Sequence, residues 1–147
     1  AFFLSFTRET QANYVKFNVS IPKLKIDNAQ VSVDSNDLSQ GLAHLPGSAL
    51  PGEKGNMFIS GHSALSNFFK GQSAIFSNLQ DIQKGDEIDV EAAGIKYKYQ
   101  ITELKVVDPK DLSVLKAPDE MGRYISLMTC VPPGLNFKRL VVLGKMI

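Results

Sequence analysis

The stretch SLMTCVPPGLNFKRLVV, residues 126–142, decides the fold class and the search for a functional site. Two apolar runs typical of β-strands flank a loop that the Pro-Pro-Gly run at 132–134 makes stiff. The first strand ends at Cys130 and the second begins at Arg139. If the two strands pair as neighbours, both side chains can face one groove at the end of a sheet. The stretch therefore predicts a thiol beside a guanidinium.

The rest of the chain has the same strand character. In residues 14–21 and again in residues 95–102, apolar side chains alternate with polar ones, which is the two-residue period of a half-buried strand. Further short apolar runs occupy residues 24–26, 31–33, 57–59, 88–90, 124–129 and 140–143, with proline and glycine turns between them. About eight short strands punctuated in this way predict a mostly β protein, built as a barrel or a sandwich.

Helical signal is slight. Residues 67–79 can form one or two short helical turns broken at Gly71. Asp108 followed by Pro109 is typical of an N-cap and a first-turn proline, and predicts another short turn that runs toward Leu115. No repeat, low-complexity tract or linker divides the 147 residues, so we expect one domain.

Composition excludes several classes of function. The formal charge is +1 and the basic residues are scattered, which argues against a nucleic-acid partner. There is no run of about 18 apolar residues that could span a bilayer. Cys130 is the one cysteine, so the chain can form no internal disulfide and has no cysteine pair for a structural zinc site. A lone cysteine is a buried residue of the core, a residue without a specific role or a reactive group.

If Cys130 is a reactive group, it needs a partner that accepts and donates protons near neutral pH, and histidine is the usual one. The chain has two histidines, His44 and His62. His62 directly follows a strand and Gly61, which lets its side chain project from the rim of a barrel, whereas His44 is expected to be a structural loop residue beside the groove. A guanidinium at Arg139 would favour the thiolate form of Cys130 and could donate hydrogen bonds to an oxyanion.

Residues 126–130, Ser-Leu-Met-Thr-Cys, resemble the sortase signature Thr-Leu-x-Thr-Cys, with serine in place of the first threonine. The segment from His44 to His62 and the strands near residues 85–99 are also similar to sortases, so the resemblance covers nearly the whole chain. It implies a closed sortase-type β-barrel of about eight strands with a few short helices. It also implies that Cys130 is the nucleophile, His62 the acid/base and Arg139 the stabiliser of the oxyanion. Thr129 is expected, more weakly, to help form the oxyanion site through its backbone or hydroxyl.

The resemblance implies a cysteine transpeptidase. Such an enzyme cleaves an LPxTG-like sorting motif through a thioester and transfers the protein to an amine of a cell-wall precursor or of a pilin. It implies no cofactor, no metal and a location on the extracytoplasmic face of the membrane. Residues 14–147 are expected to form the catalytic domain. Residues 1–13 are expected to be a leader, and their apolar start leaves open a core-facing or disordered segment or the exit end of a removed membrane anchor.

Other classes of protein fit the sequence less well. An L,D-transpeptidase would carry a His-Gly-Cys run, which the chain lacks, and a papain-like peptidase would place its histidine after its cysteine. The alternatives that stay open are a catalytically silent peptide-binding barrel, with residues 1–13 over the groove, and a hydrolytic peptidase. The chain has no Asp-Pro-Trp or Asp-Pro-Phe lid motif, which disfavours a lid-gated pilus polymerase. The acidic residues between 81 and 89 lack the spacing of a calcium loop and predict a solvated face.

Overall fold

The computed structural model describes Arg8 and residues 11–63, 74–132 and 137–147. These residues form eight strands and four short 3₁₀ helices. The strands are β1 Lys16–Ile21, β2 Ile26–Ser32, β3 Leu42–His44, β4 Gly55–Ser60, β5 Glu87–Ala92, β6 Ile95–Val107, β7 Arg123–Val131 and β8 Lys138–Met146. The 3₁₀ helices, of three residues each, are Pro22–Leu24, Leu38–Gln40, Leu79–Asp81 and Ser113–Leu115.

The strands close into one barrel in the order β1-β2-β3-β4-β7-β8-β6-β5. The β2–β3 and β4–β7 pairs are parallel, and the other neighbouring pairs are antiparallel. The expected mostly β barrel of about eight strands is therefore confirmed. Because the barrel is closed, β7 lies between β4 and β8, and the ends of these three strands come together.

The barrel interior is filled by the apolar face of each alternating strand. Phe17, Val19 and Ile21 of β1 are buried, as are Tyr99 and Ile101 of β6. The predicted alternation is wrong at its two outer positions: Val15 is 78% exposed and precedes β1, and Ile95 is 55% exposed at the start of β6. A side chain at the end of a strand has few neighbouring residues packed over it, so the two-residue alternation alone does not bury it.

Three strands differ from the sequence-based expectation. Residues 24–26 and 31–33 were expected to be separate runs, but residues 26–32 form the single strand β2. The short strand β3 was not expected, because three residues show no period. β6 continues past Thr102 to Val107 through a register shift between Ile101 and Glu103, which lets one long strand pair with both β5 and β8.

The helical predictions are corrected in part. Of residues 67–79, the positions before 74 lie outside the described residues, and the 3₁₀ turn that follows begins at Leu79. Asp108 is not an N-cap, because the turn near Leu115 begins at Ser113 with Leu112 in the cap position. The side chain of Asp111 accepts the N–H of Ser113 at 3.0 Å, which provides the local hydrogen bond that was expected from Asp108.

A second, smaller apolar cluster fixes the segment between β6 and β7 to the outside of the barrel. Val114 and Leu115 pack there with Phe58 and Val141. Buried Asn56 donates from Nδ2 to the carbonyls of Val114 and Leu115, each at 3.3 Å.

Ser126 completes this polar contact from β7. Its hydroxyl donates to Oδ1 of Asn56 at 2.9 Å, and both side chains are buried. Serine stands where the signature has threonine, and its hydroxyl is used to hold β7 to β4 beneath the 3₁₀ turn at Ser113–Leu115. The departure from the signature therefore retains a hydrogen-bonding group at a structural position.

In the described parts of the chain, no helix has the length and apolar character needed to cross a membrane.

Candidate active site

The β7–β8 pair brings Cys130 and Arg139 together. The antiparallel register places Cys130 directly opposite Arg139, with Thr129 opposite Leu140. Both side chains are partly exposed and line the same groove. The predicted juxtaposition of thiol and guanidinium thus follows from one hairpin whose loop length sets the register.

The parallel β4–β7 pair brings His62 to the other side of Cys130. Ser60 is paired with Met128, and the N–H of Gly61 donates to the carbonyl of Met128 at 3.1 Å, so the pairing extends one residue beyond β4. The β4–β7 pairing ends at Gly61, and His62 is the next residue along the chain, near the end of β7 that carries Cys130. Neighbouring strands are about 4.8 Å apart, and positions in register share a face of the sheet.

His62 therefore lies just beyond the end of β4, and Cys130 and Arg139 lie opposite each other at the neighbouring ends of β7 and β8. The backbone of His62 is held on its far side as well, because the N–H of Phe76 donates to the carbonyl of His62 at 3.0 Å. The structure brings Cys130 and Arg139 together and places His62 after the neighbouring strand; the catalytic roles of the three residues stay a prediction.

Gly61 is required by close packing. A Cβ atom at this position would lie 2.5 Å from Cδ2 of Leu42 and 2.7 Å from Cδ2 of Phe76, two buried core side chains. The sequence suggested that Gly61 frees the chain to project His62 from the rim. The structure gives a different reason, since only a residue without a side chain lets the backbone before His62 lie this close to the core.

The groove has a volume of about 230 Å³. Its walls combine apolar and hydroxyl or amide side chains around the thiol and the guanidinium. The lining residues are Ser35, Asn36, Leu38, Ala43, Leu45, Ser60, Gly61, Met128, Thr129, Cys130 and Arg139. A groove of this composition can hold an extended peptide, whose backbone needs hydrogen-bonding groups and whose side chains need apolar contacts.

Sequence reasoning missed the groove walls that come from the segment after β2 and from β3. Ser35, Asn36 and Ala43 reach the groove because β3 is parallel to β2 and antiparallel to β4. Ser60 could have been found, because it lies two residues before His62 and so on the same face of the strand.

Thr129 is buried at 2% exposure, and its hydroxyl donates to the carbonyl of Gly61 at 2.7 Å. The hydroxyl has one hydrogen to donate, and here that hydrogen is engaged with the backbone just before His62. The oxyanion role expected for Thr129 stays a prediction.

His44 belongs to β3 and is completely buried, so the expectation of a loop residue was wrong, although the expectation of a structural role is supported by its contacts. Its Nδ1 accepts the N–H of Asp34 at 3.1 Å, and its Nε2 lies 2.9 Å from the carbonyl of Ala49 and 3.0 Å from the hydroxyl oxygen of Ser48. The hydroxyl of Ser48 donates elsewhere, to Leu45.

These contacts fix the protonation state of His44. Nδ1 must be the acceptor and Nε2 must carry the proton, which describes a neutral imidazole with both nitrogens engaged. Burial lowers the pKa of His44, and the hydrogen bond to Ala49 opposes this in part. His44 is therefore a hydrogen-bonded core residue that does not line the groove.

Arg8, inside the predicted leader, contacts the same network. Its guanidinium makes a two-pronged ion pair with Asp34, at 2.9 and 2.7 Å, and donates to the carbonyl of Ser48 at 3.2 Å. The Arg8 guanidinium holds the pKa of Asp34 below its usual value. No sequence pattern linked residues 8 and 34, because the contact is between distant segments.

The acidic face near β5 is paired with lysines. Lys98 lies 3.3 Å from a carboxylate oxygen of Glu87 and 3.8 Å from one of Asp89, and Lys23 lies 3.7 Å from Asp86. Among the described residues, no group of three or more histidine, cysteine or acidic residues is arranged to hold a metal ion.

Comparison with known proteins identifies the family of the fold. Residues 19–147 match the family model of the sortase domain. Sortase D of Bacillus subtilis is 30% identical over 134 residues, which make up 86% of this chain and 61% of that protein. The lid mutant of sortase A from Corynebacterium diphtheriae has a TM-score of 0.80 at 33% identity, over 91% of this chain and 70% of that one. The sortase D5 transpeptidase of Clostridium perfringens has a TM-score of 0.77 at 26% identity, over 95% and 82%.

The fold and the site together define a closed β-barrel with a candidate cysteine active site on its rim. The chain belongs to the sortase family. The resemblance drawn from residues 126–130 and from the segment that leads to His62 is thereby confirmed at the level of the family. The chain spans about three fifths of the length of the Bacillus subtilis relative.

Proposed function

We propose that residues 14–147 form the catalytic domain of a cysteine transpeptidase. The observation that carries the proposal is that Cys130 lies opposite Arg139 on β7 and β8 in one groove, with His62 two residues beyond the end of the adjacent strand β4. The substrate is a protein with an LPxTG-like sorting motif, and the acceptor is an amine of a cell-wall precursor or of a pilin. The reaction takes place on the extracytoplasmic face of the membrane. The leader at 1–13 is proposed to connect the domain to an N-terminal anchor.

The first half-reaction forms a thioester. The Sγ thiolate of Cys130 attacks the carbonyl carbon of the scissile amide, and the electron pair of the carbonyl moves to oxygen. Arg139 donates hydrogen bonds to this oxyanion, where negative charge develops in the transition state. When the tetrahedral intermediate collapses, the C–N bond breaks and the protonated imidazole of His62 gives its proton to the leaving amine. The acyl group stays on Sγ.

The second half-reaction transfers the acyl group. The acceptor amine attacks the thioester carbonyl, and neutral His62 takes the proton that the amine loses. The C–S bond breaks and Cys130 returns as the thiolate. Dividing one amide exchange into two acyl transfers is the gain of covalent catalysis. Every bond and proton in this cycle is supplied by the substrate, the acceptor and these three residues.

Mass spectrometry of the intact protein tests the proposal. The protein is incubated with LPxTG-like and LAxTG-like peptides, with and without an added amine such as triglycine. We expect an adduct on Cys130 whose added mass equals that of the peptide minus that of the amine fragment that leaves, and we expect added amine to release it as the amine product. Release only as the free acid would favour the hydrolytic peptidase. No adduct with any peptide, together with no labelling of Cys130 by a peptide vinyl sulfone, would favour the silent binding barrel.

Replacing Arg139 by lysine is expected to lower the rate of thioester formation by roughly 100-fold, the scale of losing one oxyanion donor. Lysine keeps the charge but cannot reproduce the planar fork of the guanidinium. The rate is measured under single-turnover conditions by quenching and mass spectrometry. The matched control is Arg123→Lys, an arginine on β7 that donates to the carbonyl of Gly52 at 2.6 Å and does not line the groove. A wild-type rate in Arg139→Lys would remove Arg139 from the mechanism.

A further inference from the structure

The carbonyl of Gly61 is where β7 contacts the backbone that carries His62. Thr129 Oγ1 donates to this carbonyl at 2.7 Å, and Thr129 is 2% exposed. The N–H of the same glycine donates to the carbonyl of Met128 at 3.1 Å. Both polar groups of Gly61 are thus bonded to consecutive residues of β7, the strand that carries Cys130.

The peptide geometry shows what this contact controls. The carbonyl of Gly61, the N–H of His62 and the Cα of His62 lie in one rigid plane. Holding that carbonyl therefore fixes the plane from which His62 leaves the strand. The next peptide plane is fixed by the hydrogen bond from the N–H of Phe76 to the carbonyl of His62, at 3.0 Å. With both planes held, the direction of the Cα–Cβ bond of His62 is set, which limits the positions that the imidazole can reach.

The side chain of Thr129 is suited to this role. Threonine branches at Cβ, so its χ1 angle has few choices and Oγ1 is held in place. The bond lies in a buried site, where an unpaired carbonyl would be costly. The packing of Gly61 against Leu42 and Phe76 leaves that backbone little room to move toward another partner.

We propose that Thr129 is a positioning residue, whose hydroxyl holds the Gly61–His62 peptide so that the imidazole lies beside Cys130. The inference rests on the proposed function and extends it, because it gives the Thr129 hydroxyl a task different from oxyanion binding. The residue that precedes the nucleophile in the chain thereby aligns the acid/base.

The test compares two substrates whose leaving groups differ. A peptide amide needs a proton from His62 to expel its amine, whereas an activated peptide ester, such as a p-nitrophenyl ester, expels a stable phenolate without one. Both need the oxyanion to be stabilised. Thr129→Val keeps the shape and removes the donor. We expect it to lower the single-turnover rate of acylation by the amide by roughly 30- to 100-fold, at or below the low end of acid–base effects because His62 is displaced and not removed. Substrate binding and the single-turnover release of p-nitrophenolate from the ester are expected to stay nearly unchanged.

Two variants serve as controls. Thr129→Ser keeps the hydroxyl and is expected to recover most of the amide rate. The hydroxyl of Thr102 also donates to a strand carbonyl, that of Leu143 at 3.3 Å, but Thr102 does not line the groove. Thr102→Val removes this hydroxyl and is expected to leave both rates unchanged. Equal losses on amide and ester in Thr129→Val would mean that the hydroxyl serves the oxyanion, and would overturn the inference. Wild-type amide turnover in that variant would overturn it as well.

A substrate-free measurement separates this inference from the proposed function. The chain has two histidines, so the imidazole Cε1–H region of an NMR spectrum contains two resonances. Thr129→Val is expected to shift or broaden the Cε1–H resonance of His62 and to leave the resonance of His44 unchanged. Thr129→Ser is expected to leave both resonances unchanged. An unchanged His62 resonance would overturn the positioning role whatever the peptides show. A wild-type protein that forms no thioester would overturn the proposed function alone. If Thr129→Val does not fold, Thr129→Ala provides the same comparisons.

Discussion

Replacing Cys130 with alanine is expected to abolish thioester formation with every sorting-motif peptide, a loss on the order of 10⁴-fold or more, as when a hydrolase loses its nucleophile. Cys130 lies next to the last residue of β7, opposite Arg139, and lines the groove. Among the residues of that groove, Ser35, Ser60 and Thr129 carry hydroxyls, which are far weaker nucleophiles near neutral pH. The measurement is intact mass spectrometry after incubation with excess peptide.

The control for this prediction is Cys130→Ser, which keeps a polar atom at nearly the same position. It is expected to fold and to bind the peptide, with acylation slowed severely because a serine hydroxyl without the thiol's acidity is a poor nucleophile here. Peptide binding to both variants, measured by fluorescence anisotropy, separates a lost nucleophile from a collapsed groove. A peptide adduct on Cys130→Ala would show that another residue is the nucleophile.

The hairpin that carries Cys130 and Arg139 was predictable because its signals are local. Two apolar runs, a stiff loop and a fixed spacing between residues 130 and 139 lie within one short stretch. Antiparallel pairing of neighbouring strands then leaves little choice of register. The number of short strands predicted a barrel or a sandwich, and the resemblance to sortases decided for the closed barrel.

The neighbour on the other side of Cys130 could not be derived from local signals. β4 and β7 are parallel and more than 60 residues apart in the chain, and a parallel pairing of distant strands leaves no mark in either one. His62 was chosen for its context and its resemblance to the sortase pattern. The register with β7 gives the physical reason for its position.

The contacts that hold the site in place were the least predictable. The bond from Thr129 to Gly61, the packing that requires glycine at 61 and the ion pair of Arg8 with Asp34 all join segments distant in the chain. Such contacts depend on the final packing of the barrel and have no periodic or compositional signature. His44 shows the same limit, since its motif resembles a loop while its imidazole is bonded inside the core.

The two histidines are expected to respond to alanine substitution in opposite ways. His62→Ala should lower amide acylation by about 10²–10⁴-fold, the usual contribution of a general acid or base, with little change in the free energy of unfolding. His44→Ala should retain most of the acylation rate at a temperature well below unfolding, but lose about 2–4 kcal/mol of stability. The reason is that the N–H of Asp34 and the carbonyl of Ala49 lose their buried partner.

The pH dependence of stability tests the His44 assignment further. Because burial lowers the pKa of His44 below the unfolded value of about 6.5, the unfolded state binds its proton first as the pH falls. The stability contributed by neutral His44 is therefore complete above about pH 6.5 and is lost as the pH drops from there through the folded pKa. Urea unfolding from pH 5 to 8 should show this loss in the wild type and in His62→Ala, and less of it in His44→Ala.

Equal loss of acylation in His62→Ala and His44→Ala, both folded, would contradict the assignment of His62 as the acid/base.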